Sequence, residues 1–343
     1  MNSFGRLFRV TIFGESHGRG LGVVVDGCPA GIPLDARDFA PDLQRRKGGA
    51  RGTTARIEAD CPVLQSGVFD GWTTGAPIAI LFENADARGA DYESIVDIPR
   101  PGHADFTARI KFGGYPDCRG GGHFSGRLTL GLVAAGVVAK KTIMPVTVEA
   151  RLCEAGGSGD IEKAVERAMA ENDSIGGIVE CRSSSVPAGL GEPFFDSAES
   201  LISHLVFSIP AVKGIEFGAG FAGAAMMGSR HNDPFINAGG KTRTHHAGGI
   251  SGGITNGNPL RFRIAVKPTP SISRPQTTFN LKSGKMTELK IAGRHDVCIA
   301  LRMPVIAEAA TAIVLADLLL LEQRVPRVAK GKKKRNSKGT RHG

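Results

Sequence analysis

The amino-acid sequence predicts an α+β fold in one domain, and three observations support this. Segments with the two-residue apolar period of strands alternate with segments of helical period through the middle of the chain. No repeat of fixed length is present, and no clean linker interrupts the chain before its C-terminal region. At 343 residues the chain can bury a large core. We therefore expect one domain over residues 1–323, followed by a basic, disordered tail over residues 324–343.

The N-terminal part is predicted to contain three strands. Residues 7–13 and 21–26 have strand-like apolar patterns, and a glycine-rich loop at 14–20 separates them. A short apolar strand follows at 78–82. The loop at 14–20 is the first candidate for a functional segment.

Three further segments are predicted to be loops or turns. Residues 41–56 (PDLQRRKGGARGTTAR) are rich in arginine and glycine and lack the apolar period of a long helix, so we expect a mobile loop that faces an anion. Residues 98–105 (IPRPGHAD) form a turn punctuated by proline and glycine. A second glycine cluster lies at residues 120–122.

A buried helix is predicted over residues 127–141 (RLTLGLVAAGVVAKK). Its many glycine and alanine residues favour close contact with neighbouring elements. Ser125 stands where it could cap the helix N-terminus, and Lys140 and Lys141 complement the negative end of the helix. The free amide groups at such an N-terminus are a natural binding place for an anion.

The second half of the chain is predicted to contain further strands and helices. The apolar periods predict strands at 146–150, 178–182, 212–217 and 260–267, and helices at 160–172 and 198–207. The most apolar stretch, residues 304–321, contains Glu308 and Asp317. Two acidic residues inside this stretch argue for a buried or amphipathic helix rather than a membrane span.

The net charge of +10 is concentrated in the last twenty residues. That segment contains nine Lys or Arg and no Asp or Glu, which leaves 34 basic and 33 acidic residues in the rest of the chain. The tail has almost nothing apolar to bury and no aromatic residues between its charges, so it lacks a stacking platform for single-stranded nucleic acid. We expect a solubilising extension, and neither nucleic acid nor a membrane as a partner.

Cysteine usage and the chain ends favour a cytosolic protein. The six cysteines are scattered without any C-x-x-C pair, as expected of reduced thiols. No apolar secretory segment opens the chain, and no targeting segment is visible at either end. The histidines near residues 231 and 245 have no spacing that makes a persuasive metal set, so we predict no metal site.

Three short motifs suggest other enzyme classes, and each lacks the context that its chemistry requires. Residues 14–18 (GESHG) fit the G-x-S-x-G nucleophile elbow, but a strand rather than a helix follows them. Residues 218–223 (GAGFAG) fit the dinucleotide-binding G-x-G-x-x-G, but no convincing acidic residue closes a second strand. Residues 240–242 (GKT) resemble the end of a P-loop, but Phe235 stands where the leading glycine is required.

Three segments remain that combine His or a carboxylate with Arg inside glycine or proline turns. They are residues 16–17 (SH), 100–105 (RPGHAD) and 293–296 (GRHD). Turns of this kind expose their side chains, and His titrates near working pH. Each segment could therefore serve proton transfer beside a bound anion.

These segments belong to a longer series of specific strings in a fixed order. The strings are FGESHGRGLG at 13–22, DLQRRKGG at 42–49, RPGHAD at 100–105, RGGGHFSGR at 119–127, VPAGLGEP at 186–193, AVKGIEFG at 211–218, HHAGGISGGI at 245–254, KPTPSI at 267–272 and GRHD at 293–296. Together they resemble the chorismate synthase family closely, from the N-terminus to about residue 323. Only the basic tail falls outside the resemblance.

The resemblance implies a fold, an activity and an assembly. The family has a β-α-β sandwich in each subunit and forms a homotetramer. It converts 5-enolpyruvylshikimate 3-phosphate to chorismate, in the shikimate pathway to aromatic amino acids, by a 1,4-anti elimination that needs reduced FMN without net oxidation. Substrate and cofactor bring two phosphates and two carboxylates into one cavity, which explains the arginines. NADPH is expected only as a possible reductant, and an outside source of reduction is favoured.

The resemblance also implies roles for individual residues. His17 matches the family histidine that protonates the departing phosphate, and His103 matches the one placed near N1 of the reduced flavin. Asp296 matches the acid that, with the flavin N5, removes the substrate hydrogen. The substrate-binding positions are Ser16, Arg46, Arg51, Arg100 and Arg127, and Arg294 lies beside them. The FMN-binding positions are His123, Phe124, Ser125, Gly252, Lys267, Pro268, Thr269, Pro270, Ser271 and Arg294.

The chain departs from the family pattern at one place. Many relatives have Arg-Ser-Ser-Ala before the arginine at 127, where this chain has His123-Phe124-Ser125-Gly126. The change removes one guanidinium group and adds an aromatic ring.

The alternative function is that of a basic RNA-binding protein that has lost the enzymatic role. It predicts tight, salt-sensitive RNA binding that disappears when residues 324–343 are removed.

Overall fold

Two antiparallel β-sheets enclose a layer of helices in the computed structural model, which describes residues 2–56, 58–85, 96–291 and 295–329. The first sheet has five strands in the order β1-β2-β3-β7-β4. Its strands are β1 (Ser3–Phe4), β2 (Arg9–Gly14), β3 (Gly20–Asp26), β4 (Val63–Leu64) and β7 (Ile78–Glu83). Val23, in the centre of β3, pairs with Ile12 on one side and with Ile80 on the other.

The second sheet has four strands in the order β10-β13-β9-β8. They are β8 (Thr147–Ala155), β9 (Gly177–Ser184), β10 (Val212–Phe217) and β13 (Leu260–Val266). Three small hairpins complete the strand set: β5 (Val68–Phe69) with β6 (Trp72–Thr73), β11 (Ile250–Ser251) with β12 (Ile254–Thr255), and β14 (Gln276–Asn280) with β15 (Lys285–Leu289).

Seven α-helices lie in the described part of the chain, and the two longest of them lie between the sheets. The helices are α1 (Ala40–Arg46), α2 (Asp105–Lys111), α3 (Thr129–Thr142), α4 (Ile161–Ala170), α5 (Ala198–Phe207), α6 (Gly228–His231) and α7 (Met303–Leu321). Helix α3 packs on β2 and β3, helix α7 packs on β8 and β9, and the two helices pack on each other. This layering confirms the expected α+β class and β-α-β sandwich.

Small residues allow α3 and α7 to approach each other closely. A Cβ atom added at Gly136 of α3 would lie 2.3 Å from the Cβ atom of Ala309 of α7. Real Cβ atoms do not come so close, so the helix spacing requires glycine at this position. The prediction that the Gly/Ala helix is buried in close contact is therefore confirmed.

The apolar segment Ile299–Leu321 is long and apolar enough to cross a membrane by length and composition, but 89% of its apolar window is buried inside the fold. Its two acidic residues are satisfied internally. Asp317 accepts hydrogen bonds from the backbone N–H groups of Arg6, Leu7 and Phe8. This pattern is typical of a core helix in a globular protein, as the sequence predicted.

Glu308 holds three elements together from the centre of α7. It accepts hydrogen bonds from Arg45 of α1, Lys140 of α3 and the backbone N–H of Ala150 in β8. Burial raises the pKa of Glu308, but the hydrogen bonds and charges of Arg45 and Lys140 outweigh burial and leave the pKa lowered. The carboxylate therefore stays ionised and fixes α1 beside α3 and α7.

The structure differs from the sequence prediction in the Arg-rich segment at 41–56. Its first part is helix α1, with Pro41 in the first turn and Leu43 buried. The helix is only seven residues long, so its apolar period is too short to recognise, and tertiary contacts such as Arg45 with Glu308 stabilise it. Several short elements were also not predicted, namely helices α2 and α6, strands β1 and β4, and the hairpins β5–β6, β11–β12 and β14–β15.

The elements that the sequence did predict lie near their predicted positions. Helix α5 and strand β10 match the predicted bounds, and the other predicted strands and helices differ by a few residues at their ends. At the C-terminus, residue 30 exchanges backbone hydrogen bonds of 3.0 and 2.8 Å with Arg327 and Ala329. The division of the chain at residue 323 stays a prediction, and residues 330–343 lie outside the described part.

Candidate active site

A cavity of about 1150 Å³ opens between loops from distant parts of the chain. His17, His103 and Asp296, the three predicted catalytic residues, all line it. Their side chains come from the loop between β2 and β3, the turn before α2 and the segment before α7. The fold therefore gathers into one cavity three groups that lie up to 279 positions apart in the sequence.

The loop that carries His17 is held by Arg56 through the neighbouring residue, Ser16. Arg56 Nη1 donates to Ser16 Oγ at 3.1 Å, and Arg56 Nη2 donates to the Ser16 carbonyl at 3.0 Å. Burial lowers the pKa of His17, and the positive charges of Arg56 and Arg119 lower it further. The imidazole is therefore disposed to be neutral until an anion arrives.

His103 lies in the predicted turn and is strongly desolvated. Its Nε2 is hydrogen-bonded to Ser271 Oγ at 2.6 Å. Burial lowers the pKa of His103 to about 4, with a further lowering by the charge of Arg100 that Asp105 opposes. Arg100 in turn makes a two-pronged ion pair with Asp105, with both hydrogen bonds at 2.7 Å. His103 is thus neutral at physiological pH.

Asp296 is buried, and both of its carboxylate oxygens have hydrogen-bond donors. Oδ1 accepts from the backbone N–H of Thr54 at 3.0 Å, and Oδ2 accepts from Arg302 Nη2 at 2.5 Å. Arg302 stands at the start of α7 and also lines the cavity. The carboxylate therefore has a fixed orientation.

Arg46 and Arg127 lie side by side at the wall of the cavity and share the buried carboxylate of Asp60. Arg46 Nη2 donates to Asp60 Oδ2 at 3.1 Å, Arg127 Nη1 donates to Asp60 Oδ1, and Arg127 Nε donates to Asn84 Oδ1 at 3.1 Å. Burial lowers the pKa of Arg46 to about 10, which still leaves the guanidinium charged at neutral pH.

Three arginines of the cavity each have a buried N–H donor without an acceptor among the described residues. Within the described residues, buried Arg46 Nε, Arg127 Nη2 and Arg302 Nε have no hydrogen-bond acceptor. Buried N–H groups of a charged side chain are rarely left without an acceptor. The surplus of donors over acceptors suits a ligand that brings several anionic oxygens.

Most of the predicted cofactor positions also line the cavity. They are His123, Phe124, Ser125, Lys267, Thr269, Pro270 and Ser271. His123 Nδ1 donates to the Gly14 carbonyl at 2.8 Å. Ser125 caps the short turn Gly126–Leu128 that leads into α3, rather than α3 itself, whose N-cap is Leu128. Lys267 Nζ donates to the Gly102 carbonyl at 2.7 Å, which places it beside the turn of His103.

Three predicted site residues do not line the cavity, and a fourth lies in the part of the chain that is not described. Arg51 is 68% exposed and pairs with Glu166 at 2.6 Å. Gly252 lies on the exposed turn between β11 and β12, and Pro268 is absent from the cavity lining. Arg294 lies outside the described residues. The roles of these four residues stay predictions.

Sequence reasoning missed several residues that shape the cavity. Arg56, Glu58, Asp60 and Arg302 all line it, and each pairs with an opposite charge there. Arg56 lies in the Arg-rich segment that was expected to face an anion, so a signal existed for it. No local motif marks Asp60 or Arg302. Asp60 pairs with Arg46 and Arg127, and Arg302 pairs with Asp296, so their roles become visible only in the folded chain.

The donor set suits an organic anion better than a metal ion. In the chain segments that the structure describes, no group of three His, Cys, Asp or Glu side chains could hold a metal ion. All six cysteines lie in those segments and are unpaired thiols. The cavity instead offers imidazoles, guanidinium groups and one oriented carboxylate, which can bind an anion and transfer protons.

Comparison with known proteins gives a consistent similarity. Residues 8–320 match the family described as chorismate synthase. The chorismate synthase of Chitinophaga pinensis is 63% identical over 331 residues, which cover 96% of this chain and all of that protein. The chorismate synthase of Pyrococcus abyssi is 46% identical and covers 93% of this chain and 98% of its own length. A crystal structure of chorismate synthase superposes with a TM-score of 0.71 at 26% identity, covering 93% of each chain.

Proposed function

The chain belongs to the chorismate synthase family, and we propose that the cavity lined by His17, His103 and Asp296 is where it carries out the family's reaction. The enzymes of this family are carbon–oxygen lyases of aromatic amino acid biosynthesis. They eliminate phosphate from 5-enolpyruvylshikimate 3-phosphate to give chorismate. One C–H bond and the C–O bond to phosphate break, and no net oxidation occurs.

A single observation carries this assignment of the site. Two imidazoles and one oriented carboxylate share a cavity with three guanidinium groups whose buried N–H donors lack acceptors among the described residues. A substrate with one phosphate and two carboxylates supplies the missing acceptors. The arginines proposed to bind it are Arg46, Arg127 and Arg100, with Ser16 beside them.

Arg46 and Arg127 are proposed to form the substrate clamp. Asp60 holds one Nη atom of each, so the two guanidinium planes cannot rotate freely. Fixed donors cost little reorganisation when the anion arrives, which favours both binding and correct orientation. Arg100, which Asp105 already engages through two hydrogen bonds, contributes its charge to the same wall.

His17 is proposed as the acid that protonates the departing phosphate. In the ligand-free protein, burial and the positive charges of Arg56 and Arg119 lower the pKa of His17, and the negative charge of a bound phosphate would raise it. A dianion nearby favours the protonated ring. Substrate binding therefore prepares His17 to donate its proton to the leaving group.

Asp296 is proposed to take the substrate hydrogen as a proton. Arg302 and the Thr54 N–H orient the carboxylate, and each of its oxygens keeps a lone pair that is not used in these contacts. His103, neutral and hydrogen-bonded to Ser271, is proposed to stabilise the reduced cofactor. The two groups act at different atoms, so their substitution should have different effects.

The cavity residues fit a reduced flavin beside the substrate. The volume of about 1150 Å³ exceeds the range of roughly 300–1,000 Å³ typical of a cavity for one ligand of drug size. When bound, the electron-rich reduced flavin would stabilise loss of phosphate. The residues proposed to hold FMN are His123, Phe124, Ser125, Lys267, Thr269, Pro270 and Ser271.

An anaerobic assay with chemically reduced FMN tests this function. The full chain should release phosphate from 5-enolpyruvylshikimate 3-phosphate and form chorismate, and the same assay with NADPH and oxidised FMN tests whether NADPH can act as reductant. His17→Ala and His103→Ala should lose most activity while still folding, because both residues lie in turns. Turnover like that of the unmodified enzyme in either variant would refute its assigned role.

Three features outside the cavity complete the proposal. We expect a homotetramer, a cytoplasmic location, and a basic tail that is dispensable for turnover. Size-exclusion chromatography with light scattering tests the first. Gel shifts with RNA, run on the full chain and on a chain ending at residue 329, test whether the tail binds RNA while turnover stays the same.

A further inference from the structure

Three consecutive glycines lie beside the loop of His17, and the first two of them line the cavity. Gly120, Gly121 and Gly122 all have positive φ values, of 58°, 83° and 51°. The left-handed region disfavours residues with a side chain, so a run of three such residues makes a tight backbone curl that glycine alone forms easily. The elimination chemistry described above makes no use of this curl.

The curl and the residue that follows it contact the loop of His17 at three points. The backbone N–H of Ser16 donates to the Gly122 carbonyl at 3.1 Å, and His123 Nδ1 donates to the Gly14 carbonyl at 2.8 Å. The third point is Gly120 itself, whose backbone lies against the His17 ring. The two loops therefore form one unit around the imidazole.

The three glycines differ in what surrounds them. A Cβ atom at Gly120 would lie 2.3 Å from Cε1 and 2.4 Å from Nδ1 of His17. A Cβ atom at Gly121 would have Ser125 Cβ as its nearest neighbour, at 4.0 Å. A Cβ atom at Gly122 would collide with the backbone carbonyl of Asp117 at 2.1 Å. Only position 120 meets the imidazole.

We propose that Gly120 is a positioning residue for His17: its bare backbone forms the surface against which the imidazole rests, and this contact sets where the proton of His17 is delivered. This inference rests on the proposed role of His17 in the elimination. The contact can also be measured without turnover, because the ring position is a property of the ligand-free protein.

Gly120→Ala and Gly121→Ala form a matched pair of variants. Both place alanine in the left-handed region, so both carry a similar backbone strain. Only the methyl group at 120 pushes the ring away, toward the cavity. A displacement near 1 Å can lower a rate by about 100-fold. We expect kcat of Gly120→Ala to fall at least about tenfold below kcat of Gly121→Ala, with a much smaller change in KM.

NMR of protein labelled with ¹³C at histidine Cε1 measures the contact directly, with the His17 signal assigned by its loss in His17→Ala. In Gly120→Ala this signal should move, and the pKa of His17 should rise toward its ordinary value of about 6.5 because the ring becomes less buried. In Gly121→Ala both should stay close to those of the unmodified protein. Equal spectra for the two variants would overturn the proposal.

Thermal unfolding covers the case in which Gly120→Ala folds poorly. Removing the ring with His17→Ala removes the two atoms that the new methyl group meets most closely and leaves only Ser16 Oγ, at 3.1 Å, among its three nearest atoms. In that background, Gly120→Ala should lower the Tm no more than Gly121→Ala does, and it should not lower the residual kcat further. If the extra loss of stability persists without the ring, Gly120 does not act through His17.

These measurements separate the two proposals. Full turnover in His17→Ala would refute the proposed function while the NMR shift in Gly120→Ala could still be present. An unmoved His17 signal would refute the role of Gly120 while the loss of turnover in His17→Ala could still be present.

Discussion

The guanidinium group of Arg302 donates a hydrogen bond to Oδ2 of Asp296 at 2.5 Å, across the short turn that leads into α7. The same arginine is 3.5 Å from the backbone carbonyl of Arg46 through its Nη1. Arg302 therefore links Asp296, which is proposed to accept the substrate hydrogen, to helix α1. That helix carries Arg46, which is proposed to bind the substrate. No motif in the sequence indicates this link.

Replacing Arg302 should impair the chemical step through Asp296. In Arg302→Gln the Asp296 carboxylate loses its charged donor and keeps the hydrogen bond from the Thr54 N–H, so it can rotate. We therefore expect kcat to fall about 10- to 100-fold. Arg302→Lys keeps the charge without the planar fork and should recover part of the loss. A kcat equal to that of the unmodified enzyme in Arg302→Gln, or a full further loss in the background of Asp296→Asn, would contradict this role.

The pH dependence of turnover should report the change in the His17 environment. Burial, Arg56 and Arg119 lower the pKa of His17 in the free enzyme, and bound phosphate should raise it. An acid works only below its pKa, so the decline of kcat with rising pH should lie at higher pH than the decline of kcat/KM. Arg119→Gln should move the kcat/KM decline upward. Coincident declines would show that substrate does not change this pKa.

His103 should make the folded protein less stable in mild acid. Its pKa is about 4 when folded and about 6.5 when unfolded, so between these values the unfolded chain binds one more proton. The free energy of unfolding therefore falls as pH decreases from about 6.5 to about 4, by up to about 3 kcal/mol from this residue. Urea unfolding of the unmodified chain and His103→Gln across this range measures the difference. If the free energy of unfolding changed with pH in the same way for both proteins, the lowered pKa of His103 would be refuted.

Asp60 should be required to keep Arg46 and Arg127 together in the ligand-free enzyme. Asp60→Asn leaves two buried guanidinium groups without their shared carboxylate, which should lower the free energy of unfolding by about 3–5 kcal/mol. Inorganic phosphate should raise the Tm of this variant more than that of the unmodified protein, because the anion supplies the missing charge.

A control for Asp60 is available at the surface. Asp35 makes an exposed ion pair with Arg37, so Asp35→Asn should change stability far less and should not alter the response to phosphate. An equal phosphate response in the two variants would show that the anion does not bind between Arg46 and Arg127.

Long periodic segments were predictable from the sequence, and short or assembled features were not. Helix α5, strand β10 and the buried helix α7 carry periods long enough to identify their type. Helix α1 has seven residues, and its position depends on the pairing of Arg45 with Glu308. Propensity alone cannot reveal a contact between residues 263 positions apart.

The candidate site shows the same limit. Family strings led to His17, His103 and Asp296, which the fold brings to one cavity. The same strings also include Gly252, and the family resemblance named Arg51, and both residues lie outside the cavity. Asp60 and Arg302 are absent from every string because what distinguishes them is the charge of a distant or buried neighbour, and this becomes visible only once the chain is folded.

The tight contact between Gly136 and Ala309 has an effect far from its own position. Helix α3 begins just after Arg127, and helix α7 begins just after Arg302, so the two helices carry guanidinium groups on neighbouring parts of the cavity wall. Any side chain at position 136 would have to spread the helices, and the spread would separate those charges. The width of the anion site is therefore set in part by the absence of a single methyl group at the centre of the protein.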